Sequence, residues 1–459
     1  MTGTAPAGPA RPSPAGSGPA GTAPVPSRRR SPGVVGAELR RGIGPWAGLV
    51  VLGLCWFVLL PRLSQWQGHW PQTGNLLRPA GVLFGGPVAV ALGCRQGGRE
   101  RRARTEELLA SLPRGPLRRA LLAVAPAAFW PAAGYLVAVA GCALVTWPYA
   151  STGGPFLSLI GADAVALASL GVLGFVGGRL AGTRFAAPVL AAVAYAVLAL
   201  PLYLGHESFP LGPAAQHWYA WDRPVWWYGP ASMLWTAGLA GAALLALAAR
   251  RRTLALLPLV AACAAAVVLV RTGEGVWRPD PAAARLVCDD GTPQVCLTAV
   301  DRKLLPSVSA ALTGVNARLR GVPGAPVRWA DGPSARGRDV RTGREGAWEA
   351  QLPQPFQLSE RGRVSDPAYF ANWAASNLLS QDCPDASGKP YSEAARRADA
   401  VTDAVVRWLA PPTVDLLGPP DEAAGHLRRL HAMDPGESRA YLARFLAADS
   451  CRPAEVPVP

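Results

Sequence analysis

The stretch from Pro224 to Val270 decides the fold: it reads PVWWYGPASMLWTAGLAGAALLALAA, then RRR, then TLALLPLVAACAAAVVLV. Each uncharged run beside Arg250, Arg251 and Arg252 is long enough to cross a hydrocarbon core of roughly 30 Å at about 1.5 Å per helical residue. Basic residues are retained on the cytoplasmic side during insertion, so the three arginines predict a cytoplasmic turn between two spans. Everything after Val270 is then predicted to lie outside the cell.

Five more charge-poor runs precede this pair, and each is predicted to be a helix because backbone groups in hydrocarbon must bond internally. The predicted spans are residues 43–61, 79–95, 120–147, 156–178, 185–204, 230–249 and 253–270. The second is short, with 16 uncharged residues from Pro79 to Cys94, so it crosses only if neighbouring residues join it or the bilayer thins. The predicted fold is an all-α polytopic membrane bundle of about seven transmembrane helices, with six or eight as alternatives.

Arginines up to Arg271 are distributed unevenly between the two predicted sides of the membrane. The predicted inner side holds 19, namely Arg11, Arg28 to Arg30, Arg40, Arg41, Arg95, Arg99, Arg101, Arg102, Arg104, Arg114, Arg118, Arg119, Arg179, Arg184 and Arg250 to Arg252. The predicted outer side holds 4, namely Arg62, Arg78, Arg223 and Arg271. This asymmetry predicts a cytoplasmic N-terminus and an outer C-terminus in the cell membrane. A basic inner face beside anionic lipid also accounts for the net charge of +15 without any nucleic acid.

The chain divides into three parts by composition. Residues 1–35 consist mostly of Pro, Ala, Gly, Ser and Thr, which cannot offset the entropy of ordering, so they predict a disordered cytoplasmic tail. Residues 36–271 form the predicted transmembrane domain. Residues 272–459 have a mixed, near-neutral composition and are long enough for a single core, so they predict an extracytoplasmic domain.

This outer domain is predicted to be mostly α-helical with a small strand component. Short strands are predicted at Arg285 to Cys288 and at Gln294 to Thr298, joined by the turn-forming run DDGTP. Apolar periodicity predicts helices at 299–319, 367–379, 392–409, 421–432 and 435–448, with a further strand at 326–329. Asp434 is an acceptable N-cap before Pro435, which suits a first helical turn.

Cysteines follow the same division of the chain. Cys288, Cys296, Cys383 and Cys451 lie in the predicted outer domain, where an even number in an oxidising compartment predicts two disulfides. Two short strands joined by a turn can bring Cys288 and Cys296 within bonding distance, which leaves Cys383 to pair with Cys451. A zinc site is the alternative, although no paired CxxC spacing occurs.

Sequence motifs for enzymatic chemistry are absent. The chain has no GxxxxGK[ST] loop, no HExxH and no GxSxG, so we expect no catalysis, no metal and no cofactor. A transporter built on this chain would therefore need a separate ATPase.

Polar residues near the predicted outer face are candidates for a functional role. Asp163 is the one carboxylate inside a span, where an ionisable group costs about 2.5–3.5 kcal/mol near the helix centre. It is either an interfacial helix-start residue or a pathway or packing residue. The loop at 205–230 holds His206, Glu207, His217 and Asp222 among Trp and Tyr residues, which predicts an interfacial aromatic belt, with a metal site as the alternative.

A charged helix is predicted between the second and third spans, from Arg99 to Pro113, and it forms a candidate partner-docking loop. Its members are Arg101, Arg102, Arg104, Thr105, Glu106, Glu107 and Pro113. The segment resembles the membrane subunits of type-2 ABC exporters, with Thr105, Glu107, Leu108, Leu109, Ser111 and Pro113 at the matching positions. The resemblance covers about residues 36–252 and implies a six-span core that docks a cytoplasmic ABC ATPase subunit. A membrane-surface helix without a partner is the alternative.

The seventh span and the outer domain depart from that family. The segments VCDDGTPQVCL, from Val287, and GVPGAPV, from Gly321, are similar to C-terminal domains of permease-type streptomycete membrane proteins. The excess of Arg over the two lysines, Lys303 and Lys389, also fits the coding bias of actinobacteria. Two functions follow: a permease-like subunit of an ABC-type transporter, or a membrane-anchored domain that binds a ligand or protein outside the cell. The expected partners are the ATPase, membrane lipid and a second copy of the chain in a homodimer.

Overall fold

The structure, a computed structural model, describes residues 3, 8, 42–99, 115–181, 183, 185–204, 210–217, 219–331, 348–379, 392–412, 421–449 and 451–459. Apart from residues 3 and 8, the predicted cytoplasmic tail lies outside the described residues. The predicted docking loop, from Arg101 to Pro113, also lies outside them.

Apolar helices form the first part of the fold. They are α1 (Gly44–Leu59), α2 (Leu63–Trp66), α3 (Trp70–Arg78), α4 (Gly85–Gly97), α5 (Pro116–Thr146), α6 (Leu157–Ala181), α7 (Ala186–Tyr203), α8 (Tyr228–Ala248) and α9 (Leu256–Thr272). Counted as continuous helices, 6 in the described part of the chain are long and apolar enough to cross a membrane. They correspond to all the predicted spans except 185–204, whose helix α7 is apolar but shorter. The helical bundle with helices of membrane length is confirmed, and a seventh crossing by α7 stays a prediction.

The second span begins earlier than predicted. The sequence placed it at 79–95 because Arg78 was counted in an outer loop. The helix in fact begins at Trp70 and runs through a π-helical stretch, Pro79–Phe84, into α4, for 28 residues altogether. Proline has no N–H to donate, and a wider π turn accommodates this missing bond. Arg78 is buried inside the bundle, so it does not belong to the outer-side arginines.

Helices α4 and α6 pack closely because glycines face each other between them. A Cβ added to Gly93 would overlap the carbonyl oxygen of Gly171, and one added to Gly174 would overlap that of Val90. Lipid is as apolar as leucine, so association between membrane helices depends on such close packing. The two helices therefore form a tight centre around which the others pack.

Strands and further helices follow the bundle in the chain. The strands are β1 (Asp222–Pro224), β2 (Trp277–Pro279), β3 (Leu286–Cys288), β4 (Gln294–Thr298), β5 (Arg328–Ala330), β6 (Glu349–Gln351), β7 (Ser359–Glu360) and β8 (Arg363–Val364). The helices are α10 (Leu305–Leu319), α11 (Pro367–Leu379), α12 (Glu393–Leu409), α13 (Asp421–Ala432) and α14 (Pro435–Ala447). The C-terminal domain thus combines helices with a small sheet.

The main sheet has the order β3-β4-β5-β6. β3 and β4 are antiparallel with Cys288 opposite Cys296, whereas β4, β5 and β6 are parallel. Parallel neighbours need a long crossover, which α10 provides between β4 and β5. The buried core between sheet and helices includes Trp329 and Phe370, both fully buried. The strand prediction missed β6 and the parallel pairing, because a three-residue strand carries too little periodicity to be recognised.

Two predicted helices in this domain begin at side-chain caps, of which the sequence predicted the one at Asp434. Ser392 Oγ accepts a hydrogen bond from the backbone N of Ala395 at 3.1 Å. Asp434 Oδ1 accepts from the backbone N of Glu437 at 2.8 Å, and Glu437 Oε2 accepts from the backbone N of Asp434 at 3.2 Å, forming a capping box. These bonds satisfy backbone donors that the first turn leaves unpaired.

The C-terminal domain docks on one end of the bundle. β1, between α7 and α8, pairs antiparallel with β2, which follows α9. Lys303 Nζ donates to the Pro148 carbonyl at 3.1 Å, and the backbone N of Lys303 donates to Ser151 Oγ at 3.0 Å. Because the segments after α5 and before α8 both meet the domain, they lie at the same end of the bundle. The alternation of helix directions that the sequence predicted is consistent with this geometry, and the orientation in the cell stays a prediction.

Candidate functional site

A buried polar network joins three helices inside the bundle. Arg78 of α3 places its Nε 3.2 Å from Asp163 Oδ1 of α6, and Tyr135 Oη of α5 donates to Asp163 Oδ2 at 2.8 Å. Arg78 Nη1 donates to the carbonyl of Ala215 at 2.9 Å, and the guanidinium carbon lies 5.9 Å from the centre of the Tyr228 ring. Asp163 and Tyr135 are each 1% exposed. The charges are paired and hydrogen-bonded, as burial in a low-dielectric interior requires.

Asp163 lies within its helix and not at the start. It is the seventh residue of α6, about 9 Å along the axis from Leu157. The geometry therefore fits the alternative of a pathway or packing residue. Its partner Arg78 was missed, although a lone arginine beside the second apolar run was a recognisable counter-charge to the lone carboxylate of the spans.

A narrow cavity, the slot, leads from the domain end of the bundle to this network. It is lined by Trp70, Pro71, Thr73, Gly74, Asn75, Leu77, Arg78, Tyr135, Val139, Ala143, Pro155, Phe156, Leu159, Ile160, Asp163, His217, Tyr219 and Trp277. The space between its atoms, counted together with open solvent at the mouth, is about 610 Å³, and the part that solvent can enter has room for only a few water molecules. Arg78 follows Trp70 by eight residues on α3, so the network lies about 12 Å deeper than the aromatic mouth. The slot is mainly apolar, with charged groups at its inner end.

His217 forms part of the slot wall. Its ring stacks on Trp277 with centroids 4.3 Å apart, and its Nε2 lies 2.7 Å from Asp222 Oδ2. The backbone N of His217 donates to Asn75 Oδ1 at 3.0 Å, and the Asn75 amide donates to the His217 carbonyl. These contacts fix the loop before α8 against α3. His217 and Asp222 contact each other through Nε2 and Oδ2, so the structure does not arrange either side chain as a metal ligand.

A wider cavity, the junction cleft, adjoins the slot between the bundle and the C-terminal domain. It is lined by Trp70, Pro71, Thr152, Gly153, Gly154, Phe156, Ala220, Asp222, Arg223, Asp280, Ala282, Ala283, Arg285, Ala299 and Val300. The space between its atoms, counted together with open solvent at the mouth, is about 1050 Å³. Trp70, Pro71 and Phe156 line both cavities. The cleft is lined by two carboxylates and two guanidinium groups, whereas the wall of the slot is mostly apolar.

A second buried polar cluster joins the bundle to the domain. His69 Nδ1 lies 3.0 Å from Asp301 Oδ1, although without hydrogen-bond geometry, and His69 Nε2 lies 3.3 Å from Ser359 Oγ. Asp331 accepts a hydrogen bond from Thr298 Oγ1 at 3.1 Å. Burial, and then the neighbouring Asp301 carboxyl, raise the pKa of Asp331 well above its usual range. Asp331 is therefore favoured in its protonated form, which removes one negative charge from the junction.

Ser359, His69 and Asp301 stand in the order hydroxyl, imidazole and carboxylate that serine hydrolases use. All three are buried, with Ser359 1% exposed. Neither the slot nor the junction cleft is lined by any of them. The cluster lies between the docked parts, where it supplies polar partners across the junction. No local sequence pattern pointed to this cluster, because the three residues are far apart in the chain.

Other predicted site residues have separate positions. Cys288 and Cys296 form the predicted disulfide. Cys451 is also disulfide-bonded, whereas Cys383 lies outside the described residues. His206 and Glu207 lie outside them as well. No group of three or more His, Cys, Asp or Glu side chains suited to a metal occurs in the described part of the chain.

The fold and the site define a helical bundle whose described part has 6 apolar helices long enough to cross a membrane, with a C-terminal domain docked over a cavity in the bundle. No family model, curated protein or solved structure matches the chain. Its function is therefore argued from the two cavities and their charged residues.

Proposed function

We propose that the chain is a permease-like subunit of an ABC-type transporter, that it works with a separate cytoplasmic ATPase, and that the slot receives the substrate. The observation that carries the proposal is the network of Arg78, Asp163 and Tyr135 at the inner end of an unfilled slot. Ionisable residues inside a membrane are costly, and they commonly mark ion and substrate pathways.

The sequence supports the partner in this proposal. The chain has no P-loop, so energy for uphill transport would come from another subunit. The segment from Thr105 to Pro113 resembles the exporter loop between the second and third spans, and Glu107 is the carboxylate we assign to ATPase docking. The chain itself would bind and guide the substrate without catalysing a reaction.

The junction cleft favours a second candidate function. It is the wider cavity, and residues of the C-terminal domain such as Asp280 and Arg285 line it. A ligand held there could be bound by a membrane-anchored domain without being transported. The two functions differ in one respect that can be measured, which is the need for an ATPase.

Affinity purification from native membranes tests the proposal. The tagged full chain is expressed in its source organism, crosslinked lightly in the membrane, purified and analysed by mass spectrometry for ATPase subunits. We expect a P-loop ATPase to be recovered with the wild type. Glu107→Arg should reduce that recovery at equal expression, because truncating or reversing a buried charged contact costs about 2–5 kcal/mol.

A matched control is Glu360→Arg, which changes an exposed carboxylate of the C-terminal domain by the same charge. It should leave the recovery unchanged. If no ATPase is recovered with the wild type, the permease proposal fails and the anchored binding domain becomes the better function. If Glu107→Arg and Glu360→Arg recover it equally, docking does not use the loop.

A further inference from the structure

The indole of Trp277 lies at the domain end of the slot, where it contacts three other aromatic rings. It stacks on His217 with the two planes 8° apart, and it meets Phe156 and Tyr228 edge-on with centroids 6.1 and 6.0 Å away. Such stacked and edge-on contacts are favourable arrangements of aromatic rings. Phe156 directly precedes α6 and Tyr228 begins α8, so one side chain connects elements on different sides of the slot.

The slot is narrow while Trp277 holds this position. The part that solvent can enter has room for only a few water molecules, although the charged network lies about 12 Å deeper than the mouth. Most of the lining residues belong to helices of the bundle, whereas Trp277 follows α9 and belongs to the connection with the C-terminal domain. A solute larger than water therefore reaches Arg78 and Asp163 only when lining side chains move.

The connection that carries Trp277 begins at a glycine hinge. Residues 273–279, the strap, run from the end of α9 through Gly275 into β2. Gly273 has φ +54° and ψ −131°, a conformation that glycine adopts far more readily than other residues, and nothing lies within 4 Å of a Cβ added there. Small residues at the end of an element commonly absorb the backbone rotation of a hinge.

A short ladder and one apolar side chain hold the strap against the bundle. β2 pairs antiparallel with β1 over three residue pairs, and the backbone N of Val225 donates to the Val276 carbonyl at 2.9 Å. Val276 is buried in an apolar cluster with Leu269 and Tyr228, which favours the docked position. A two-stranded ladder is only marginally stable by itself, so this one can open locally while the bundle stays folded.

We infer that the strap is a gate for the slot and that Trp277 is the side chain that closes it. Rotation about Gly273 separates β2 from β1, carries Trp277 away from His217 and widens the slot. Because the strap continues into the C-terminal domain at Asp280, a movement of that domain also moves the gate. The inference rests on the proposed function, in which the slot receives the substrate, and it concerns the step that admits the substrate.

Thiol labelling of the full chain measures opening of the gate without an ATPase. Val139 lines the slot one helical turn from Tyr135, and Val139→Cys places a thiol there with little change in volume. Cys263→Ser removes an exposed free cysteine from the background. The protein is purified in detergent and treated with a cationic thiosulfonate, whose charge keeps it out of the apolar part of the micelle. Peptide mass spectrometry then gives the labelling rate at position 139.

Truncating the closing side chain should speed this labelling. Trp277→Ala removes the ring that stacks on His217, and we expect a labelling rate about tenfold higher, which is the effect of losing an aromatic contact on an opening equilibrium. The matched control Trp226→Ala truncates a tryptophan that is 84% exposed and does not line the slot. It should label at the rate of the parent protein.

A crosslink across the ladder tests movement of the strap with Trp277 intact. Arg223 and Arg278 lie opposite each other in β1 and β2, and both are exposed. Opposite residues of antiparallel strands have Cα atoms about 4.5–5.5 Å apart, a distance that a disulfide can bridge. Oxidised Arg223→Cys with Arg278→Cys should hold the strap closed and slow labelling about tenfold. Arg223→Cys with Arg278→Ser loses the same charges without forming the bond and should keep the parent rate.

Three results overturn the inference. If the crosslinked protein is labelled as fast as its serine control, the strap does not move. If folded Trp277→Ala is labelled no faster than the parent, Trp277 does not close the slot. A thiol at position 139 that reacts only after denaturation in every variant shows that the slot does not open. Should Trp277→Ala fail to fold, the crosslink decides. Failure to recover an ATPase would refute transport and leave the gate in place.

Discussion

Arg78 and Asp163, 85 residues apart in the chain, form an ion pair at the inner end of the slot. Both are nearly inaccessible, and Tyr135 satisfies the second carboxylate oxygen. Such a pair is unfavourable to bury and more unfavourable to break, since removing one partner leaves an uncompensated charge. It fixes the relative positions of α3 and α6 while keeping polar groups beside the cavity.

Removing one charge should destabilise the bundle more than removing both. Asp163→Ala leaves the Arg78 guanidinium buried alone and should cost about 3–5 kcal/mol, whereas Arg78→Met with Asp163→Leu should recover most of that loss. Thermal unfolding in detergent, followed by tryptophan fluorescence, ranks the variants. Equal melting of the single and double variants would mean that the pair contributes no coupling.

Close packing between α4 and α6 predicts that Gly93→Ala and Gly53→Ala differ in their effect on stability. Gly93→Ala should destabilise by about 1–3 kcal/mol, because the added methyl group overlaps the carbonyl oxygen of Gly171 and the helices must separate. Gly53→Ala, on the exposed face of α1, should be neutral or stabilising by about 0.5–1 kcal/mol, since alanine favours helix. The same melting experiment decides between them. A tolerated Gly93→Ala would show that the helices can shift apart freely.

The disulfide in the β3–β4 hairpin should stabilise the C-terminal domain. Cys288 and Cys296 are 8 residues apart in sequence, and the chain-entropy treatment gives about 2.5 kcal/mol for a loop of that size. Replacing both by alanine should lower the melting temperature of the domain, and reducing agent should have no further effect through this bond. Cys263→Ala, at an exposed free cysteine of α9, is the control and should melt as the wild type does.

Stability should depend on pH through Asp331. Because its pKa is raised in the folded protein, a carboxyl there stabilises fully below the unfolded value of about 3.9, and this stability is lost as pH rises through the folded pKa. Asparagine resembles the protonated form and can still accept from Thr298. Asp331→Asn should therefore melt above the wild type at pH 8, with a smaller difference at pH 5. A difference that does not change with pH would contradict a raised pKa.

Orientation in the membrane is predicted by the arginine asymmetry. A reporter active only outside the cytoplasm should be active when fused at Pro459 and silent when fused at Arg252. The correction at Arg78 strengthens the expectation, because it removes one arginine from the predicted outer loops. A silent but stably expressed fusion at Pro459 would show that the C-terminal domain is cytoplasmic.

Prediction from the sequence was most successful for elements with a repeating pattern of residue types. Long apolar runs identified the membrane-length helices, and the cap at Asp434 placed one helix start closely. A charged residue misled the prediction at Arg78, because a charge normally marks the end of a span. Its burial depends on Asp163 in another helix, a pairing that local patterns do not contain.

The candidate site was predictable only in part. Asp163 was identified because a lone carboxylate in an apolar run is rare. The junction cleft and the cluster at His69 arise from residues brought together by the docking of the C-terminal domain. Three-residue strands such as β1 and β2 carry little periodicity, so the docking that creates these sites was beyond local sequence reasoning.

The ladder between β1 and β2 has a consequence for how the protein is made. Trp277–Pro279 leaves the ribosome only after α8 and α9, so it can reach Asp222–Pro224 only when both helices have been threaded into the membrane in opposite directions. Pairing of β1 with β2 therefore requires that the hairpin formed by α8 and α9 has inserted correctly. A chain that misinserts this hairpin would leave both strands unpaired and Trp277 unstacked from His217.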